Sequence, residues 1–529
     1  MNKIAFGALA AAAVLVLGLP DAFAQKAGGT LRAYPLDNPP SASIHEEATI
    51  STVQPFMSVF NNLVIFDQHA TRNSIEAIGP ELATEWRWND DNTKLTFTLR
   101  EGVRFHDGKP FTSADVKCTW DTIAEKRDAG WRKNPRKPWY FNLREVTADG
   151  PAQVTFHLER PQPSFISLLA AAMSPVYPCH VPGRDMRAKP IGTGPFKVVE
   201  FKSNELVRLA RNTDYWRKDR PYLNGIEWRM IPAEGTRALA FQAGEIDLTG
   251  AGSITIPLAR EIKAATPAAH CEIAPPNTQL QLLMLRSTAP FENDKLRRAL
   301  MLAVDRKALS DILSGGQFIV AGALLPPPDG VWGLGPDELT GLPGYGDVAK
   351  NRDEARALMR ELGYGPDKRM RIKLLTRNTP TYRDPAVIVI DHLRDVYVDA
   401  ELEAVDAAIW YARLARRDYQ LAVNVSGIGV DDPDVVFYEG YTCGEQRNYT
   451  DFCSKEIDAK INEQSATVDP AARLRLVHEI DRRLQAEGAR PVLYQSVGGT
   501  CWQQHVKGIT IARNTLYNHW RLEDAWLDR

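Results

Sequence analysis

Leu95, Phe97 and Leu99 alternate with Thr96, Thr98 and Arg100, the period-two pattern of a strand with one buried face. The Asp107-Gly108 dipeptide predicts a tight turn after it. Thr112-Ser113-Ala114-Asp115 then reads as a helix start, with a hydroxyl cap and an acid in the first turn. Val116, Trp120 and Ile123 follow at helical spacing. His106 falls on the polar side of the turn, so His106-Asp107 reads as turn structure rather than catalysis. Similar units recur. Residues 154–158 alternate and lead through a Pro-rich turn to an apolar helix over 164–173. A Gly-Pro turn feeds a strand in 191–201. Residues 224–231 alternate before a helix near 235–242, and "GEIDL" returns as a strand.

The second half has another rhythm. Leu296, Leu300, Val304 and Leu309 mark one helical stripe behind a cap at Asn293 or Asp294. A Pro/Gly-rich connection, "ALLPPPDGVWGLGPDELTGLPGYGD", reads as a long ordered surface loop, and "NRDEARALMRELGYG" as a capped helix ended by Gly363. Strands at 370–375, 400–405 and 419–425 alternate with helices at 385–397 and 407–416, the order of parallel strands with crossover helices. A helix opened by Pro470 and a final strand close the pattern. There is no internal repeat.

At 529 residues the chain exceeds one core, so two or three domains are expected. A net charge of -2 gives no electrostatic case for a nucleic-acid partner. At the N-terminus, Lys3, an apolar run over 4–19 and Ala22-Phe23-Ala24 together read as a secretory signal peptide over 1–24. The first cysteine is Cys118, so no lipid-modified cysteine follows the signal, and the mature protein is expected to be exported and unanchored. Cys443 and Cys453 enclose a polar loop and are the expected bridge. Cys118, Cys179, Cys271 and Cys501 are either buried thiols or a second pair, and their pairing stays open.

The block "ELATEWRWNDDNTKLTFTLREGVRFHDGKPFTSADV" resembles the signature of the peptide/nickel class of ABC-importer solute-binding proteins, the dipeptide- and oligopeptide-binding family 5. "IGTGPFKVVEFKSNELVRLARNTDYW", "ALAFQAGEIDL", "FENDKLRRALMLAVDRKAL" and "DDPDVVFYEGYTCGEQRNYTDFCSKEID" agree in order. The resemblance implies an α/β, two-lobed periplasmic-binding-protein fold (type II, cluster C-like) with an extra small domain on the first lobe. The first lobe would be 25–280 plus 490–529, its extra subdomain 51–190, and the second lobe 281–489. It further implies a monomer in the periplasm that closes by hinge motion on a peptide or related small molecule. Delivery would be to the permease subunits of an ABC transporter, with no cofactor and no covalent chemistry.

A closing cleft needs aromatic walls and a few orienting polar groups. Trp410, Tyr411, Tyr438 and Tyr441 fall near predicted loop ends, and the Ser426-Gly427-Ile428 turn follows a parallel strand, where ligands of open α/β sheets bind. Dipeptide-binding members carry an aspartate three residues before an Asp-Pro-Asp, pairing with the peptide α-ammonium. Here Gly429 stands three residues before Asp432-Pro433-Asp434, leaving Asp431 as a substitute only if the loop is shifted. Arg286 stands in "LLMLRSTAPFEN" where members commonly have asparagine, and is either a bidentate carboxylate ligand or a surface arginine. The candidate ligand-binding set is Arg286, Trp410, Ser426, Gly427, Ile428, Asp431 and Asp432. These departures point to an acidic opine-like solute, a modified peptide or an aromatic acid. An exported hydrolase is the alternative from another class, but the chain has no G-x-S-x-G and no H-E-x-x-H. No His/Cys cluster has metal-ligand spacing, which leaves a bound metal chelate as a further alternative.

Overall fold

The structure, a computed structural model, describes residues 25–128 and 130–529; the expected signal peptide lies outside the described residues. One sheet has seven strands, in the order His270–Ala274, Gly498–Trp502, Leu248–Thr249, Thr30–Tyr34, Gly225–Arg229, Leu206–Arg211, Phe196–Lys202. A second has five, Val398–Val405, Met370–Arg377, Leu421–Gly427, Thr278–Met284, Val492–Gln495. The chain passes from the first sheet to the second between Ala274 and Thr278, and back between Gln495 and Gly498. Two lobes joined by two short crossings result. A four-stranded antiparallel sheet, Ala83–Trp88, Lys94–Leu99, Gln153–Leu158, Leu143–Ala148, forms a small extra unit in the first lobe. Helix Ser113–Ile123 packs on it behind a capping box from Thr112 and Asp115.

Met370–Arg377 lies parallel to both Val398–Val405 and Leu421–Gly427, as the strand-helix alternation requires. Thr278–Met284 is buried along its whole length, the mark of a central strand covered on both faces. The stripe from Leu296 to Leu309 is broken, however. Helix Asp294–Ala303 stops where Val304 adopts extended backbone, and Asp305 caps a new helix, Arg306–Ser314, by accepting from the Ala308 amide at 2.9 Å. An acid able to cap can restart a helix inside an unbroken apolar stripe. The expected helix at 385–397 begins earlier, at Pro380, and the "GEIDL" strand shrinks to Leu248–Thr249. The long Pro/Gly-rich connection holds one short helix, Pro336–Leu339.

All six cysteines are paired. Cys443–Cys453 forms as expected, and the four left open form Cys118–Cys179 and Cys271–Cys501. Cys271 sits opposite Cys501 on paired strands that lead into the two crossings. His106 is structural. Its Nε2 lies 3.0 Å from the Gly194 carbonyl and burial lowers its pKa to about 4, while Asp107 pairs with His180 at 2.7 Å. No helix among the described residues is long and apolar enough to cross a membrane.

Candidate ligand-binding cleft

The carboxyl ends of the parallel strands of the second lobe face the first lobe across a cavity of about 60 Å³. Met370–Arg377 delivers its last residue, Arg377, and Leu421–Gly427 delivers Ser426 and Gly427. Tyr382 and Tyr411 come from the crossover helices Pro380–Arg394 and Ala407–Ala415, and Arg447 from the disulfide-closed loop. From the first lobe come Ile50 and Tyr517. The Gly427 residue answers a close approach: a Cβ there would stand 2.6 Å from the Tyr517 hydroxyl, so any side chain would push the lobes apart.

Two guanidinium groups dominate the electrostatics. Arg377 is buried; it donates to the Tyr382 hydroxyl at 3.1 Å and to Asp37 of the first lobe at 2.5 Å. Burial works to lower its pKa, yet Tyr382, Tyr411 and Asp37 together raise it above the ordinary arginine value. Arg447 is paired with Glu439, which also accepts from the Trp139 indole of the first lobe. Burial works to lower its pKa too, yet Glu439 with Tyr449, Tyr517 and Tyr411 together raise it above the ordinary arginine value. Nε of each arginine is buried and has no hydrogen-bond partner among the described residues. Burial pushes the phenols of Tyr411 and Tyr517 up to about 12, so both stay neutral donors at physiological pH. A low-dielectric pocket with fixed cations and phenol donors can hold carboxylates with charge-assisted hydrogen bonds.

Of the expected residues, Ser426 and Gly427 lie on this wall. Ile428 is buried in the core just behind it. Arg286 is elsewhere: its guanidinium donates to the carbonyls of Glu487 and Gly488 at 2.9 Å and lies over the Phe452 ring. The reason is strand direction. Thr278 pairs with Gly427 at the cleft while Met284 pairs with Leu421, so residue 286 follows the far end of the sheet, about 20 Å away at the usual strand rise. Trp410 is fully buried among Leu283, Leu375 and Leu414, and its neighbour Tyr411 takes the cleft position. Asp432 is held by Arg473 at 2.7 and 2.9 Å, a buried internal pair. Asp431 faces a different cavity. A Cβ at Gly429 would meet Trp139 at 2.9 Å, so the indole occupies the space that a longer side chain would need. Arg377, Arg447, Asp37, Glu439 and Tyr517 escaped the sequence reading. Arg377 alone carried a signal, its place at the end of a parallel strand.

The lobes also clasp one another beside the cleft. Asp434, buried on helix Pro433–Gly440, accepts from Gln162 at 3.0 Å and Ser164 at 2.6 Å of the first lobe, and from Gln464 and Ser465 of its own. Among the described residues no three His, Cys, Asp or Glu side chains gather as metal ligands.

Two lobes, two crossings and a lined cleft are the anatomy of a capture device, and the sequence profile of the bacterial extracellular solute-binding proteins, family 5, matches residues 77–448. The chain belongs to that family. This solute-binding protein is 27% identical over 422 residues to the glutathione-binding protein GsiB of Salmonella typhimurium, covering 75% of this chain and 77% of that one. The GsiB of Escherichia coli K12 is 26% identical over 419 residues. Among solved structures, the periplasmic binding protein AgaA from A.tumefacien R10, in complex with agropinic acid, superposes with a TM-score of 0.81 at 22% identity, covering 95% of this chain and 99% of that one. Haemophilus influenzae OppA bound to the peptide RPPGFSPFR gives 0.83 at 18% identity with the same coverage. These likenesses establish the two-lobed fold, and the family membership establishes solute binding as the activity.

Proposed function

We propose that this protein is the periplasmic receptor of an ABC importer and that its solute is a small carboxylic acid, a modified or amino-blocked peptide or an opine-like acid among them. The observation that carries the reading is the pair Arg377 and Arg447, two guanidinium groups on one cleft wall beside the neutral phenols of Tyr411 and Tyr517. Among the described residues no Asp or Glu lines this cleft to meet a free α-ammonium: Asp37 and Glu439 beside it are engaged by Arg377 and Arg447, and residue 429 is a glycine against Trp139. Burying an unpaired ammonium would cost several kcal/mol. One relative fits the same chemistry, since AgaA is seen in complex with agropinic acid. The protein does no chemistry on its solute, works as a monomer, and hands the solute to the permease when the lobes part.

Calorimetric titration with matched pairs tests this: agropinic acid and N-acetylated dipeptides, each against its amide. The acids bind and the amides do not. Unmodified dipeptides binding more tightly than their acetylated acids would overturn the reading.

A further inference from the structure

A second interlobe cavity adjoins the ligand cleft and shares Leu36 and Thr381 with it. It offers about 220 Å³, against about 60 Å³ in the cleft itself. Its first-lobe wall is the segment Pro35–Asn38 with Glu234, Arg237 and Ser253; its second-lobe wall is Asn378–Thr381, the residues directly after Arg377. The Asp37–Arg377 pair stands on the boundary, with Arg377 lining the cleft and Asp37 the cavity. A solute whose carboxylate reaches Arg377 therefore has this cavity as the larger room for the rest of its body.

The charges on these walls are mixed. Arg237 is 5% exposed; it donates to the Leu36 carbonyl at 3.2 Å, lies over the Tyr34 ring and has no carboxylate partner among the described residues. Glu234 stands three residues earlier on the same helix, Glu234–Gln242, and so on the same face. One of its oxygens accepts from the Thr255 amide at 3.2 Å. Asp37 accepts from Arg377 and, at 2.8 Å, from the Asn38 amide. Singly charged groups fit such walls poorly. A second carboxylate at Arg237 would stand beside Asp37 and Glu234. An ammonium on either acid would stand beside Arg237 and the positive first turn of helix Pro380–Arg394. An alkyl chain would strip water from all three charged groups and return no hydrogen bond. A hydroxyl both donates and accepts and carries no charge, so a row of hydroxyls can donate to Asp37 and Glu234 and accept from Arg237.

We propose that this cavity holds a polyhydroxylated arm of the solute, which makes the ligand a hydroxy acid of the sugar-acid kind. Its carboxylate lies toward Arg377 and Arg447, and its hydroxyls lie against Asp37, Glu234 and Arg237. The inference rests on the carboxylate reading above and narrows it. Because Asn378 and Thr381 close the cavity from the second lobe, an arm lodged here also favours the closed arrangement.

Calorimetric titration with D-gluconate, with hexanoate as the six-carbon acid lacking hydroxyls, and with the amide of each tests the two readings separately. Gluconate binds at least tenfold more tightly than hexanoate, and each acid more tightly than its amide. R237L and, independently, E234L, at a half-buried position, each lower the gluconate-to-hexanoate affinity ratio at least fivefold. Hexanoate equal to gluconate, with both still ahead of their amides, would overturn the polyol cavity and leave the carboxylate reading standing. A ratio unchanged in both variants would overturn the cavity as well. Gluconamide equal to gluconate, with both ahead of hexanoate, would instead overturn the carboxylate reading and support the cavity.

Discussion

Asp37 and Arg377 meet across the cleft at 2.5 Å, one just beyond the end of first-lobe strand Thr30–Tyr34 and the other at the end of second-lobe strand Met370–Arg377. The pair ties lobe closure to the charge that holds the solute: a carboxylate arriving at Arg377 meets a guanidinium already positioned by a lobe-spanning ion pair. Charge-assisted hydrogen bonds to such a group contribute about 1.5–3 kcal/mol. R377A therefore weakens acid binding by roughly 10- to 150-fold, and R377K recovers little because one ammonium cannot replace a planar fork. Calorimetry with the wild-type ligand measures both.

Glu439 is a stability residue as much as a site residue, because it pairs with Arg447 and accepts from Trp139. E439A leaves a buried guanidinium and an indole N–H unmatched and lowers stability by about 3 kcal/mol. Urea denaturation reads the loss directly.

The Asp434 clasp is expected to govern closure. Gln162 and Ser164 reach Asp434 only when the lobes are together. Q162A with S164A removes two bonds specific to the closed state, so the ligand-free protein shifts toward an open form and acid affinity falls about tenfold or more. Small-angle scattering follows the larger radius of gyration.

Cys271–Cys501 closes a segment of 230 residues at the root of both crossings. In the chain-entropy account, C271S with C501S costs about 5 kcal/mol. A second effect is specific to its place: the strands feeding the hinge are no longer stapled, so the open and closed forms become less distinct in scattering. A melting shift with unaltered scattering would limit the bridge to stability.

His45 is 1% exposed, its Nε2 lies 2.7 Å from the Pro175 carbonyl, and burial lowers its pKa to about 4. The unfolded chain takes up its proton near pH 6.5 while the folded one resists it until about 4. The stability this group contributes is complete above 6.5 and is lost as pH falls through that window, by at most about 3 kcal/mol. H45Q flattens that part of the pH–stability curve measured in urea.

The sequence made the α/β lobe readable because alternation between strand and helix periods forces parallel strands, and the Ser426-Gly427 wall readable because ligands gather at the carboxyl ends of such strands. The same rule would have found Arg377. Arg286 misled because its strand runs antiparallel, a fact carried by pairing and not by local pattern. Trp410 and Tyr411 are adjacent on one helix, and a turn of roughly 100° per residue decides which meets solute. Only packing sets that phase. The Asp37–Arg377 and Glu439–Trp139 contacts join residues some 300 positions apart, beyond any local signal.

Native mass spectrometry of freshly purified protein tests the central claim most directly. The account predicts one small carboxylate-bearing molecule per chain, released chemically unaltered and missing from R377A. A neutral or cationic molecule in the cleft, or equal retention by R377A, would contradict it.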